Sequence, residues 1–389
     1  MQIANLDMCS GCGACVAVCP KNAIDFKEDR FGQKFPKIDQ NKCIDCHLCE
    51  KTCPINHEFF IPKLELTKCY ALQGRNKGHV EGCSSGGVAT IIARHIIEQG
   101  GYVFGCKFDE NMDLNYVECS TLDELELIKG SKYVQSNLTQ CYVQIKKRLV
   151  QGKKVLVIGL PCQIAGVKGY LKKDYENLFL IDLICHGTPP VRYLKEHVER
   201  LGYAKIENIK FREKKGFILT LFDNKKSKIF SVRSACDEYY SGFLNGIIYR
   251  ENCYKCPYAN PYRVSDITLG DFWGLDKETL VKKYEGAISV GLVHTEKGAA
   301  IFEEICDQIV YEERKIEEAL EENGQLREPM KPDEHDRRVF LQYYPVLGFD
   351  RAFRKTKLYK KKVLVSKCKN CIVKTRVGKN LKELWRKIK

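Results

Sequence analysis

The pattern Cys9-x2-Cys12-x2-Cys15-x3-Cys19-Pro20 recurs as Cys43-x2-Cys46-x2-Cys49-x3-Cys53-Pro54, and nothing else in the chain constrains its fold as tightly. Three thiolates spaced two residues apart wrap three corners of one metal centre in a single turn of loop. In a run of this kind the fourth cysteine ligates the neighbouring 4Fe–4S cluster. The expected sets are therefore Cys9, Cys12, Cys15 and Cys53 for one cluster, and Cys43, Cys46, Cys49 and Cys19 for the other. Gly11 and Gly13 suit a tight loop whose amides approach the cluster sulfurs. Zinc is the competing reading, but it takes four ligands per ion and does not account for a Cys-x3-Cys-Pro ending that occurs twice. Residues 1–57 thus read as a small two-cluster, ferredoxin-like domain, and such clusters move electrons.

Twenty-one cysteines in 389 residues would suggest a disulfide scaffold if eight did not fall into these motifs. Ligand spacing places the chain in a reducing compartment. Met1-Gln2-Ile3-Ala4-Asn5-Leu6-Asp7 has neither a basic nor an apolar leader region, so the expectation is an unprocessed, cytoplasmic protein. No run reaches the roughly 18 apolar residues of a membrane span. The net charge of +14 is concentrated at one end: Arg351–Lys389 holds 16 Lys or Arg and one acid, Glu383. The rest is close to neutral, which argues against a nucleic-acid-binding surface.

A connector around Phe60-Ile61-Pro62-Lys63 leads into a body over 68–345. Val88, Ile91, Ile92 and Ile96 share a helix face that opens after Gly86-Gly87 and closes at Gly100-Gly101. Tyr142, Ile145 and Leu149 mark a second helix. Val155–Ile158 and Leu178–Leu183 read as buried strands, with a further strand beginning at Tyr102. Helices are expected near 191–201, 237–247 and 296–311, and strands at 206–212, 217–222 and 266–270. The alternation predicts an α+β or α/β class: a small ferredoxin-like domain, a larger mixed α/β body and a basic tail over 350–389.

Six segments occur in a fixed order: Gly82-Cys83-Ser84-Ser85-Gly86-Gly87-Val88; Lys129-Gly130-Ser131-Lys132-Tyr133-Val134-Gln135-Ser136; Gly159-Leu160-Pro161-Cys162-Gln163; Asp182-Leu183-Ile184-Cys185-His186-Gly187; Cys253-Tyr254-Lys255-Cys256-Pro257; and Ser265–Gly274. Together they resemble the coenzyme F-420 hydrogenase/dehydrogenase beta-subunit family, whose members pass electrons between iron–sulfur clusters, FAD and a second redox partner. The resemblance implies a flavin-binding body. Ser84, Ser85, Gly86 and Gly87 would cradle its diphosphate at a helix start, or simply cap that helix. Lys129, Ser131, Lys132 and Tyr133 would supply cations, a hydroxyl and an aromatic face, or form a solvated loop. Cys162, Cys185, Cys253 and Cys256 would hold a third 4Fe–4S cluster; the alternative is two structural thiols and a small zinc loop. His186, with Asp266 and Asp271 expected nearby, is a candidate proton donor or a structural histidine.

The expected function is an FAD-containing iron–sulfur oxidoreductase linking one-electron and two-electron chemistry, or a non-catalytic relay subunit of a larger complex. Its expected partner is a ferredoxin-like carrier or a second redox subunit. The basic tail would dock an acidic protein or an anionic membrane surface, or stay solvated. Cys368 and Cys371 within it stand without further ligands. Gly-x-Gly-x-x-Gly after a strand is missing, which leaves nicotinamide unsupported.

Overall fold

The computed structural model describes residues 3–57, 59, 61–203, 206–213 and 216–363. In the N-terminal module each cysteine loop runs into a short helix, Ala14–Ala17 or Leu48–Thr52. Strands β1 (Ile24–Glu28) and β2 (Lys34–Ile38) form an antiparallel hairpin between the two loops.

The body is built on eight strands: β3 (Lys68–Gly74), β4 (Tyr102–Phe108), β5 (Leu114–Cys119), β6 (Val155–Gly159), β7 (Leu178–Leu183), β11 (Ile267–Asp271), β12 (Ser289–Val293) and β13 (Ile309–Arg314). Their order is β13-β3-β12-β11-β7-β6-β4-β5. The centre, β4-β6-β7-β11, is parallel, and β5, β12 and β13 each run antiparallel to their neighbours. Parallel strands covered on both faces need continuous apolar runs, which Val155–Ile158 and Leu178–Ile181 supply. Leu156 joins the core beneath the helix Val88–Glu98, while Val155 and Val157 face the helices Cys141–Val150 and Pro161–Leu171.

A second sheet, β8 (Asn208–Glu213), β9 (Gly216–Phe222) and β10 (Lys228–Arg233), is antiparallel in the order β10-β9-β8. It shares an aromatic core with the helices Val191–Arg200, Glu238–Leu244 and Glu334–Leu347.

Two boundaries differ from expectation. The helix expected over 296–311 stops at Glu304, because Ile309-Val310-Tyr311 opens β13 and pairs with β3 from Ile309 opposite Gly74. The basic tail does not begin at 350. Phe349, Asp350, Ala352, Phe353 and Thr356 are buried in the body, so the packed structure continues past that point. Cys368, Cys371 and the apolar positions Leu381, Leu384, Trp385 and Ile388, which the sequence spaces as a weak helical stripe, lie outside the described residues. Within them, no helix is long and apolar enough to cross a membrane.

Candidate functional site

The 19 cysteines among the described residues are all free thiols. In the module they gather around two hollows. One, of about 280 Å³, is lined by Cys9, Cys12, Cys15 and Cys53, together with Gly11, Gly13 and apolar Ile3, Leu6, Phe26 and Ile55. The other is lined by Cys19, Cys43, Cys46 and Cys49. Each hollow thus takes three thiols from one motif and the fourth from the other. Burial pushes the Cys12 thiol up to about 11, against a partly offsetting backbone hydrogen bond at Ala14, and raises Cys15 further. Thiols in such a place become thiolates only when a metal centre takes the charge. The donor set and the sulfur-lined hollows suit iron–sulfur clusters. The second hollow lies at the surface, where Cys46 and Ile44 are exposed.

The four body cysteines come from three elements. Cys162 sits in the first turn of the helix Pro161–Leu171, just after β6. Cys185 follows the end of β7, and Cys253 and Cys256 belong to the turn after Arg250. All lie at the carboxyl ends of the parallel strands or pack against them, the edge where open α/β sheets bind their ligands. Cys162 is raised by burial and then by the charges of Cys256, Cys185, Cys253 and, from the module, Cys12. Burial likewise raises Cys185, followed by Cys253 and Cys256. The fold therefore converges these four thiols and sets them beside the first hollow.

Two arginines that carry no signal in the sequence hold this region together. Arg250, 1% exposed, donates to the carbonyls of Cys9 (3.1 Å) and Lys34 (3.2 Å) and to Gln135 Oε1 (3.0 Å). It feels the charges of Cys9, Cys253 and Cys162, so it stands between the first hollow and the body thiols. Arg263, 2% exposed, donates through Nη1 to the Tyr258 carbonyl (2.8 Å). Tyr258 in turn lies within electrostatic reach of Cys162, Cys12, Cys256 and Cys53.

The module approaches the body closely along one helix. A Cβ on Gly169 would stand 2.5 Å from the Thr52 carbonyl, and one on Gly166 would stand 3.1 Å from Cys12 Sγ. Tyr142 adds a hydrogen bond from its hydroxyl to the Cys12 carbonyl (2.9 Å).

The two loops expected to bind a flavin do meet. The Ser131 amide donates to Ser84 Oγ (2.6 Å), and Arg212 donates to both the Ser84 carbonyl and Asp271 Oδ2, each at 3.0 Å. The helix Val88–Glu98 starts behind Gly87 without a side-chain cap. Trp273, 40% exposed, stacks on Phe217 beside Arg212. His186 is pulled down by burial and pushed up by Asp271, which places it at the same edge.

Several expected contacts are otherwise engaged. Lys132 donates its ammonium to the carbonyls of Ile128 (2.8 Å), Lys129 (2.9 Å) and Gly130 (3.1 Å), closing the end of the helix Leu122–Ile128. Tyr133 packs its ring against the aromatic core, stacking on Phe243 with ring centres 4.5 Å apart, while its hydroxyl stays with Ser131 and Arg212. Lys129 pairs with Glu126 at 2.5 Å. Gly86 is required by packing, since a Cβ there would meet the Leu72 carbonyl at 2.4 Å, and its amide donates to Ser289 Oγ (2.9 Å). Ser85 Oγ accepts from Ser289 Oγ and donates to the Ile288 carbonyl. Asp266 is at the opposite end of β11, accepting from the Leu180 amide and Thr295.

Residues 8–57 match the model of the 4Fe-4S dicluster domain, and residues 152–319 match that of the C terminus of the coenzyme F420 hydrogenase/dehydrogenase beta subunit. The chain thus carries, over those residues, a 4Fe-4S dicluster domain and the C-terminal domain of a coenzyme F420 hydrogenase/dehydrogenase beta subunit. Among its relatives, one F(420)H(2) dehydrogenase subunit from Methanosarcina mazei is 23% identical over 79% of this chain and 85% of its own. The coenzyme F420-dependent sulfite reductase of Methanocaldococcus jannaschii is 28% identical over 60% of this chain, which spans 40% of that protein. A chain of the F420-reducing [NiFe] hydrogenase complex of Methanosarcina barkeri aligns over 80% of this chain and 95% of its own, with 16% identity and a TM-score of 0.44. The dicluster match makes this chain an iron–sulfur protein, and the two relatives from Methanosarcina mazei and Methanocaldococcus jannaschii are a dehydrogenase subunit and a reductase.

Proposed function

We propose that this chain is an iron–sulfur flavoprotein subunit that carries electrons from a ferredoxin-like donor or partner subunit to a two-electron acceptor such as coenzyme F420. The observation that carries the reading is the convergence of Cys162, Cys185, Cys253 and Cys256 beside Cys12. It supports an order of three sites. The surface set Cys19, Cys43, Cys46 and Cys49 receives the electron, Cys9, Cys12, Cys15 and Cys53 hold the middle cluster, and the four body thiols hold the third. Close approach at Gly166 and Gly169 keeps the hop from module to body short.

A flavin, when bound, would combine single electrons into a hydride equivalent. The residues offered to it are fewer than the sequence suggested: Ser84, Ser131, the uncapped amides after Gly87, Arg212 and the face of Trp273. His186 is the candidate proton donor at the same edge, with the Asp271 charge opposing the burial that lowers its pKa. The engagement of Lys132 by three backbone carbonyls favours a second reading, a relay with no flavin of its own.

Anaerobic purification with iron, sulfide and flavin quantified separates these outcomes. About twelve irons and one flavin per chain are expected, and Cys185→Ser should leave about eight irons. Twelve irons without flavin reduces the protein to a relay. Eight irons in the wild-type chain refutes the third cluster.

A further inference from the structure

Among the described residues, Arg263 is the most completely enclosed charge in the body whose nitrogens are not all used. One nitrogen, Nη1, reaches the Tyr258 carbonyl, whereas Nε and Nη2 are buried with no hydrogen-bond partner. Burying a cation with unpaired donors is strongly unfavourable unless a compensating negative charge is close. Its charge acts on Cys185 and Cys256, and on Asp182 beneath them. Asp182 alone does not account for it. One carboxylate oxygen already accepts from Thr268 (2.6 Å), and burial itself pushes the group toward its neutral form before Arg263 opposes that. Behind Thr268, His294 donates from Nε2 (2.9 Å) while Nδ1 accepts from Thr67 (3.1 Å). Burial, then Arg263, holds that ring down at about 3, so it remains neutral and brings no further positive charge.

We infer that Arg263 is a positioning residue for the third cluster, compensating its negative charge and raising its reduction potential above that of an uncompensated buried site. The inference rests on the third cluster proposed above. Four thiolates around an oxidised 4Fe–4S core leave a net charge of −2, and one electron from the neighbouring cluster takes it to −3 with no bond made or broken. A fixed cation in a low-dielectric interior favours the more negative state. Arg250 also carries its charge near Cys253, but each of its nitrogens already donates, to Asn252, Gln135, Cys9 and Lys34, whereas Arg263 keeps two N–H-bearing nitrogens for the cluster and its thiolates.

The test is an EPR-monitored redox titration of the anaerobic full-length chain, with iron counted on each sample. In Arg263→Met the third cluster should become at least tenfold harder to reduce, about 59 mV for a one-electron couple. The two module clusters should stay where they are, and Arg263→Lys should restore most of the shift. Should the Met variant lose iron, Arg263→Gln, which keeps a donor without the charge, must show the fall. Twelve irons with an unmoved third potential in a neutral variant overturns the inference. So does loss of the cluster in both neutral variants, which would make Arg263 a builder of the site and not a setter of its potential. Eight irons in the wild-type chain would remove the third cluster itself, a different failure, visible before any variant is made.

Discussion

Arg250→Met removes the guanidinium that joins the module to the body while keeping most of its length. In the native chain Arg250 Nη2 serves the Cys9 and Lys34 carbonyls, both on the module side, while Nη1 is held by Gln135 of the body. Hydrogen bonds from a charged donor contribute about 1.5–3 kcal/mol each. Losing the two module-side bonds therefore weakens docking by about 3 kcal/mol, roughly a hundredfold in the ratio of docked to undocked module. Undocking uncovers Thr52, buried against Gly169 in the docked state, so tryptic cleavage after Lys51, run without oxygen, reads the change. Where opening is fast relative to cleavage, the cleavage rate follows the open population and should rise by up to that factor. Iron content, checked in parallel, separates undocking from loss of a cluster. A cleavage rate within twofold of the wild type, with iron intact, would show that Arg250 is not what couples the two parts.

His197 lies fully buried between Asp350 (Nδ1 to Oδ1, 2.7 Å) and Asp237 (Nε2 to Oδ2, 2.8 Å). Burial alone would lower it, but the two carboxylates outweigh burial and bring it up to about 9 from 6.5. Its charge thus contributes about 3 kcal/mol, fully present below pH 6.5 and lost as the pH rises through 9. The stability gap between wild type and His197→Gln in urea unfolding should narrow by that amount from pH 6 to pH 10; a gap independent of pH would refute the charged-imidazole reading. Gly169→Ala, stabilising in an exposed helix, should here cost about 1–3 kcal/mol in the urea midpoint, because the new methyl meets the Thr52 carbonyl. A stabilised variant would mean the module is not seated as described.

The metal chemistry of this chain was legible because ligand spacing is local: Cys9 to Cys15 and Cys43 to Cys49 lie within single turns. The body thiols were readable only as a set in fixed order, since Cys162, Cys185 and Cys253 are brought together by the ends of β6 and β7 and by the turn after Arg250. Strands buried on both faces, such as Val155–Ile158, declared themselves by continuous apolar runs. β13 did not, because Ile309-Val310-Tyr311-Glu312 follows a helix with no break strong enough to mark the change, and only pairing with β3 decides it. The surroundings of Lys132 and Tyr133 were hidden for a similar reason. A lysine and a tyrosine beside a glycine suit a ligand loop as well as they suit a helix end and an aromatic core. Arg250 and Arg263 were invisible, since nothing local distinguishes a buried arginine from a solvated one.

The place of β3 in the sheet bears on how the protein is made. Its two neighbours, β12 and β13, begin at Ser289 and Ile309, roughly two hundred residues after β3 ends at Gly74. At about 5–20 residues per second of synthesis, β3 waits about 10–40 s on the ribosome with both edges unpaired. Its run Cys69-Tyr70-Ala71-Leu72 is the segment a nascent chain would most need to keep from other chains. Overproduction that outpaces this wait should therefore yield insoluble protein even when iron is plentiful.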